Sequence, residues 1–221
     1  MAKIKTKRER VKFASDNVTG ACPEVLDAIL KANDEDRTPY GNDELSKNLQ
    51  NKFSEIFEKE VIVFPTASGT AANALALSTM TPSFGNIYCH RLSHINVDEC
   101  GAPEFYTGGA KLVNLDGING KIIPEELDDS ISGKGIVHHT QPSSVSITQL
   151  CETGVAYQLD EIKKISEVAH KHKLNIHMDG ARFANALVSL NCSPAEMTWK
   201  SGIDVLSFLS LIHISEPTRP L

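Results

Sequence analysis

Nothing in the 221 residues approaches the roughly 18 consecutive apolar side chains that a membrane-spanning helix needs. Positive charge is scarce as well. Twenty-two Lys and Arg stand against 28 Asp and Glu, a net charge of −6, where a nucleic-acid binder ordinarily shows a basic balance. The one basic cluster, within residues 1–10, has no apolar stretch behind it, so it reads as a solvated arm and not as a secretory signal. Cysteine is sparse and unpaired in pattern: Cys22, Cys89, Cys100, Cys151 and Cys192 are an odd number and contain no Cys-x-x-Cys knuckle. Zinc ribbons and a disulfide framework are thereby disfavoured, and reduced, mostly buried thiols are expected. There is no internal repeat and no low-complexity linker. The Gly-x-x-x-x-Gly-Lys and Gly-x-Gly-x-x-Gly phosphate motifs are both absent. The expectation is a soluble, cytoplasmic protein with neither nucleic-acid nor membrane partners.

What is present is ordinary globular composition, 41% apolar and 23% charged with 14 Gly and 10 Pro, which excludes collagen-like, coiled-coil and disordered chains. Pro23 opens a helix in which Val25, Leu26, Ile29 and Leu30 share a face. Asn42 is a candidate N-cap for a second helix carrying Leu45, Leu49, Phe53, Ile56 and Phe57. The β-branched run 61–64, stopped by Pro65, predicts a buried strand, and the Ala- and Leu-rich stretch from Gly69 predicts a helix. Further strands are expected at 87–89, 111–115, 135–139, 174–178 and 204–208, with a helix over 160–172. Strands alternating with helices predict one α/β domain, a mostly parallel sheet with helices on both faces.

Three places can do chemistry. At Thr66-Ala67-Ser68-Gly69-Thr70 a strand runs into a turn of small residues that begins a helix. Backbone N–H groups there, with the hydroxyls of Ser68 and Thr70, would hold an anion; the plainer reading is an ordinary N-capped helix. At His177-Met178-Asp179-Gly180-Ala181-Arg182 a strand ending in Asp179 sets a carboxylate at the carboxyl edge of a sheet, where α/β folds bind ligands. Arg182 can grip a carboxylate bidentately, or simply form a surface pair with an acid. His90-Arg91-Leu92-Ser93-His94 with Asp98 and Glu99 offers a weak metal pattern, a histidine that stacks on a flat ring or moves protons, or a structural histidine.

Taken together, these segments resemble the threonine aldolase (aromatic amino acid β-eliminating lyase) family of pyridoxal-phosphate enzymes, fold type I. The resemblance covers residues 11–208 and rests on Ala14-Ser15-Asp16-Asn17-Val18-Thr19, Tyr40-Gly41-Asn42-Asp43, Thr66-Ala67-Ser68-Gly69-Thr70, Ser93-His94-Ile95, Glu99-Cys100-Gly101-Ala102, the 177–182 motif and Asp204-Val205-Leu206-Ser207-Phe208. It implies pyridoxal 5′-phosphate as cofactor, with Asp179 pairing the pyridinium nitrogen and Ser68, Gly69 and Thr70 holding the phosphate. It also implies His94 as the catalytic residue on the ring face, and Arg182 and Ser15 on the substrate carboxylate. Glu99 matches a family position without an assigned role. The implied reaction splits a β-hydroxy amino acid, L-threonine or L-allo-threonine, into glycine and an aldehyde. The implied assembly is a homodimer or homotetramer, with residues 37–41 reaching a neighbour's site. Other readings are a different fold-type-I lyase or aminotransferase, or a non-catalytic fragment.

The sequence departs from the family pattern after Phe208. Relatives place the Schiff-base lysine where Ile212 stands, whereas the last lysine here is Lys200. The expected organisation is an N-terminal arm over 1–20, the cofactor-binding large domain over 21–208, and an aberrant tail over 209–221. That tail is closer to translated sequencing adaptor than to a protein segment, and the family's small C-terminal domain is expected to be missing. The chain itself is expected to be inactive.

Overall fold

A computed structural model describes residues 21–33 and 36–209. The expected arm, Ser15 within it, and Ile212 lie outside the described residues. The chain divides into a unit of Met1–Asp36 with Leu211–Leu221 and a unit of Arg37–Ser210. In the first, α1 (Pro23–Asn33) begins at Pro23 as expected, and Leu26, Ile29 and Leu30 are all exposed.

The second unit runs α2 (Glu44–Ile56), α3 (Gly69–Met80), β1 (Gly85–His90), α4 (His94–Val97), α5 (Ala102–Tyr106), β2 (Lys111–Leu115), α6 (Pro124–Ser130), β3 (Gln141–Thr148), α7 (Leu159–Lys171), β4 (Asn175–Gly180), α8 (Phe183–Leu190), α9 (Pro194–Met197) and β5 (Val205–Phe208). Every strand pair is parallel, in the order β2-β1-β3-β4-β5. Strand order reverses between β1 and β3, and the crevice outside such a switch point is where doubly wound sheets take ligands.

Side chains alternate across each strand, so the register sorts them into two faces. On one, Tyr88, Val145, Ile147, Ile176 and Met178 pack with Ile162, Ile165 and Ala169 of α7 into the larger apolar core. On the other, Ile87 and Cys89 pack with Leu77 of α3 and with Ile95. Both faces are therefore covered by helices, as expected. The second face turns polar toward β3, β4 and β5. His177 is fully buried there, with Nδ1 on the Ser146 hydroxyl at 2.9 Å and Nε2 on that of Ser207 at 2.8 Å. Burial pushes its pKa down to about 4.

Four expectations need correction. The second helix is capped by Asp43, not Asn42, because the Asp43 carboxylate accepts from Ser46 N at 3.0 Å and from the Ser46 hydroxyl at 2.7 Å. Residues 61–64 form no strand. Val61 N donates to the Ser54 hydroxyl and Val63 N to Gln50 Oε1, so α2 side chains satisfy the groups a ladder would use, and Ile62 and Phe64 point outward. Residues 135–139 are a turn wrapped around Gln141, whose Nε2 donates to the carbonyls of Gly133, Ile136 and His139. The strand begins at Gln141, and its Pro142, Ser143, Ser144 and Ser146 hide it from an apolar-run search. Finally, the described cysteines are free as expected, but they are not mostly buried: Cys89 and Cys151 are, whereas Cys100 is exposed.

Candidate functional site at the carboxyl edge

The 12-residue helix α3 is capped by Ser68, whose hydroxyl accepts from Ala71 N at 3.2 Å. That cap takes one of the orphan donors of the first turn. Among the described residues no hydrogen bond uses the N–H of Gly69 or Thr70, so two backbone donors remain at a helix N-terminus, where the macrodipole also favours negative charge. At Gly69 an added Cβ would lie 2.5 Å from Leu209 Cδ2, so the chain leaving β5 passes directly beside this cradle.

Asp179 sits at the carboxyl end of β4 and is 2% exposed. Its Oδ1 accepts from Ala181 N and its Oδ2 from Asn73 Nδ2, each at 3.0 Å. None of the ion pairs among the described residues involves Asp179. A buried carboxylate held only by neutral donors is costly, and a cationic ring nitrogen supplied by a ligand would complete it. The residues present therefore fit pyridoxal phosphate, with an anion cradle on α3 and an unmatched carboxylate on β4.

Asn73 lies one turn inside α3 and joins these parts. Its Nδ2 also donates to Glu99 Oε1 at 2.7 Å, and two carboxylate acceptors fix which end of the amide is nitrogen. The Glu99 side chain is fully buried, and Oε1 receives His94 Nδ1 at 2.8 Å. Burial raises the Glu99 pKa, opposed by the bonds from Asn73 and His94 and reinforced by the charge of Asp179. Oδ1 of Asn73 and Oε2 of Glu99 are buried with no partner among the described residues. His94 itself opens α4 and its side chain is 43% exposed, so its ring reaches solvent while Nδ1 is held from below. His90 does something different: its Nδ1 accepts from Leu92 N at 3.1 Å. The two histidines share no ligand, and no cluster of three or more metal-ligating side chains occurs among the described residues.

Arg182 follows β4. Its Nε donates to Leu150 O at 3.0 Å and its Nη2 to Glu152 Oε1 at 3.3 Å. The same Glu152 oxygen accepts from His94 N at 3.2 Å. The contacts thus close a ring that runs His94, Glu99, Asn73, Asp179, along the chain to Arg182, and back through Glu152. Sequence reading singled out His94, Asp179 and Arg182, and noted Glu99 without a role. It missed Asn73, which looks like one more polar residue in an Ala-rich helix, and Glu152, which follows a strand it did not find. A polar recess lined by Asn86, Tyr88, Lys111, His138 and His139 lies at the amino ends of β1 and β2, the opposite edge of the sheet.

The beta-eliminating lyase family matches residues 12–210. A low specificity L-threonine aldolase of Pseudomonas sp. (strain NCIMB 10558) is 44% identical over 89% of this chain and 57% of its own length. Its Pseudomonas aeruginosa counterpart is 42% identical over the same shares. The chain thus spans little more than half the length of these relatives. Among solved structures, Leishmania major threonine aldolase superposes with a TM-score of 0.78 at 26% identity, over 84% of this chain and 54% of that one. An alanine aminotransferase of Pyrococcus furiosus, at 16% identity, 74% of this chain and 42% of its own, has a TM-score of 0.56 and shows the shared fold alone.

Proposed function

The chain belongs to the beta-eliminating lyase family, and from that premise we propose that it carries the cofactor-binding domain of a threonine aldolase-like lyase, using pyridoxal phosphate to cleave β-hydroxy amino acids to glycine and an aldehyde. The observation that carries this reading is the buried Asp179 carboxylate, without a cationic partner among the described residues, joined through Asn73 and Glu99 to His94.

In this reading the N–H groups of Gly69 and Thr70, with the Ser68 and Thr70 hydroxyls, hold the phosphate. Asp179 would accept from a protonated ring nitrogen and so hold the cofactor in its cationic form. When bound, pyridoxal phosphate supplies the electron sink for the charge left as Cα–Cβ breaks. The His94 ring would lie against one face of the cofactor. With Nδ1 of His94 donating to Glu99 Oε1, Nε2 would carry the lone pair and would be the atom that takes the proton from a substrate β-hydroxyl. Arg182 receives the substrate carboxylate.

The complete site needs a lysine amine, and this sequence has none after Lys200. A homo-oligomer is proposed for the complete enzyme. Tyr40, in the segment assigned to reach a neighbour, is 97% exposed. The test is a chimera joining residues 1–208 to the remaining length of the Pseudomonas relative. The reading expects acetaldehyde and glycine from L-threonine or L-allo-threonine in equal amounts. A folded chimera that binds pyridoxal phosphate but releases no acetaldehyde would overturn it.

A further inference from the structure

We propose that Glu152 is the positioning residue that aims Arg182 at the substrate carboxylate and, through the same oxygen, fixes His94 beside it; this rests on the reading of Arg182 given above. A guanidinium carries five N–H donors in a planar fork, and it can grip a carboxylate bidentately only if one full edge is left open. Here the edge formed by Nε and Nη2 is already occupied, Nε by Leu150 O and Nη2 by Glu152 Oε1. No hydrogen bond among the described residues uses Nη1. The end edge, Nη1 with the second proton of Nη2, is therefore the one presented to a ligand. Both anchors come from the segment that follows β3, so the loop after one strand sets the aim of an arginine that follows its neighbour β4.

Glu152 Oε1 also accepts from His94 N at 3.2 Å, at the start of α4. The ring-covering residue and the carboxylate-gripping residue thus share one acceptor atom. The Glu152 side chain is 20% exposed and that of Arg182 33%, so both are sheltered enough to hold a geometry yet open on one side. Charge on Glu152 is not the essential property. What matters is an oxygen at this point, because a glutamine Oε1 can accept the same two bonds.

The experiment is calorimetric titration of glycine into the full chain saturated with pyridoxal phosphate, for the unsubstituted protein, Glu152→Ala, Glu152→Gln and Arg182→Gln, with pyridoxal phosphate affinity measured on each. Glu152→Ala should weaken glycine by about tenfold, the loss expected for a charge-assisted hydrogen bond. Glu152→Gln should restore most of that affinity, and the loss of glycine affinity in Glu152→Ala should exceed any loss of cofactor affinity measured on the same variant. Amide hydrogen exchange at His94 should speed up in Glu152→Ala and recover in Glu152→Gln, a local readout that also reports whether each variant is folded. Glycine bound as tightly or more tightly by Glu152→Ala, while Arg182→Gln loses it, would overturn the proposal and leave the Arg182 reading standing; Glu152 would then compete with substrate instead of aiming its receptor. Glycine binding untouched by Arg182→Gln, or absent from the unsubstituted chain, would remove both.

Discussion

One amide nitrogen, Asn73 Nδ2, serves two buried carboxylates, Glu99 at 2.7 Å and Asp179 at 3.0 Å. Removing it leaves two acids in a poorly solvated site without their shared donor. Asn73→Ala should therefore cost about 1–3 kcal/mol of unfolding free energy, read from urea denaturation. A loss within about 0.5 kcal/mol, ordinary for a surface change, would mean water replaces the amide easily. His177 makes a different demand. Its folded pKa of about 4 lies below the unfolded value near 6.5, so above both the imidazole is neutral in either state and contributes no slope. As pH falls through 6.5 toward 4 the unfolded chain takes up a proton that the folded chain refuses, and stability drops across that window. His177→Gln should flatten this part of the stability–pH curve, and an unchanged slope would assign the acid sensitivity to other groups. Asp179 was legible because a carboxylate ending an apolar strand has few structural reasons to be there. Asn73 and Glu152 were not legible, since a polar residue in a helix or loop carries no sign of what it will face across the sheet.

At the scale of elements, α3 has two jobs. Its first turn holds the anion in the proposed reading, and Leu77, 0% exposed, packs on Ile87 and Cys89 of β1. Leu77→Ala should destabilise the unit by about 2–5 kcal/mol through lost burial and a residual cavity. Chemical denaturation measures this directly, and a cost below about 1 kcal/mol would mean the α3 face is loosely packed. Helices with a clear 3.6-residue period, α2 and α7, were evident from sequence to within a residue or so of their ends. Strands were harder. β3 was missed because its inner face carries serines whose hydroxyls bond to Thr81 and His177, which replaces an apolar signature with a polar one. Residues 61–64 misled for the converse reason: β-branched residues fit an extended backbone, but no strand among the described residues pairs with this one, and local composition carries no record of a missing neighbour. The same missed strand concealed Glu152, so an error of element became an error of site.

For the molecule as a whole, the parallel order β2-β1-β3-β4-β5 places the residues after β1, β3 and β4 along one edge, and this brings together His94, Glu152, Asp179 and Arg182 from distant parts of the sequence. Strand–helix alternation made the fold class legible, and the ordered motifs made the family legible. The contacts that join the site, by contrast, depend on three-dimensional register. The central claim is that this edge is a pyridoxal phosphate site organised by Asp179 and the α3 cradle, and titration of the chain with pyridoxal phosphate, with inorganic phosphate as competitor and Asp179→Asn as the variant, tests it most directly. The account predicts saturable binding of one equivalent, displacement by phosphate, and affinity about tenfold or more weaker in Asp179→Asn, as for loss of a charge-assisted bond to a ring cation. Equal affinity in Asp179→Asn, or uptake that never saturates and spreads over surface lysines, would contradict it.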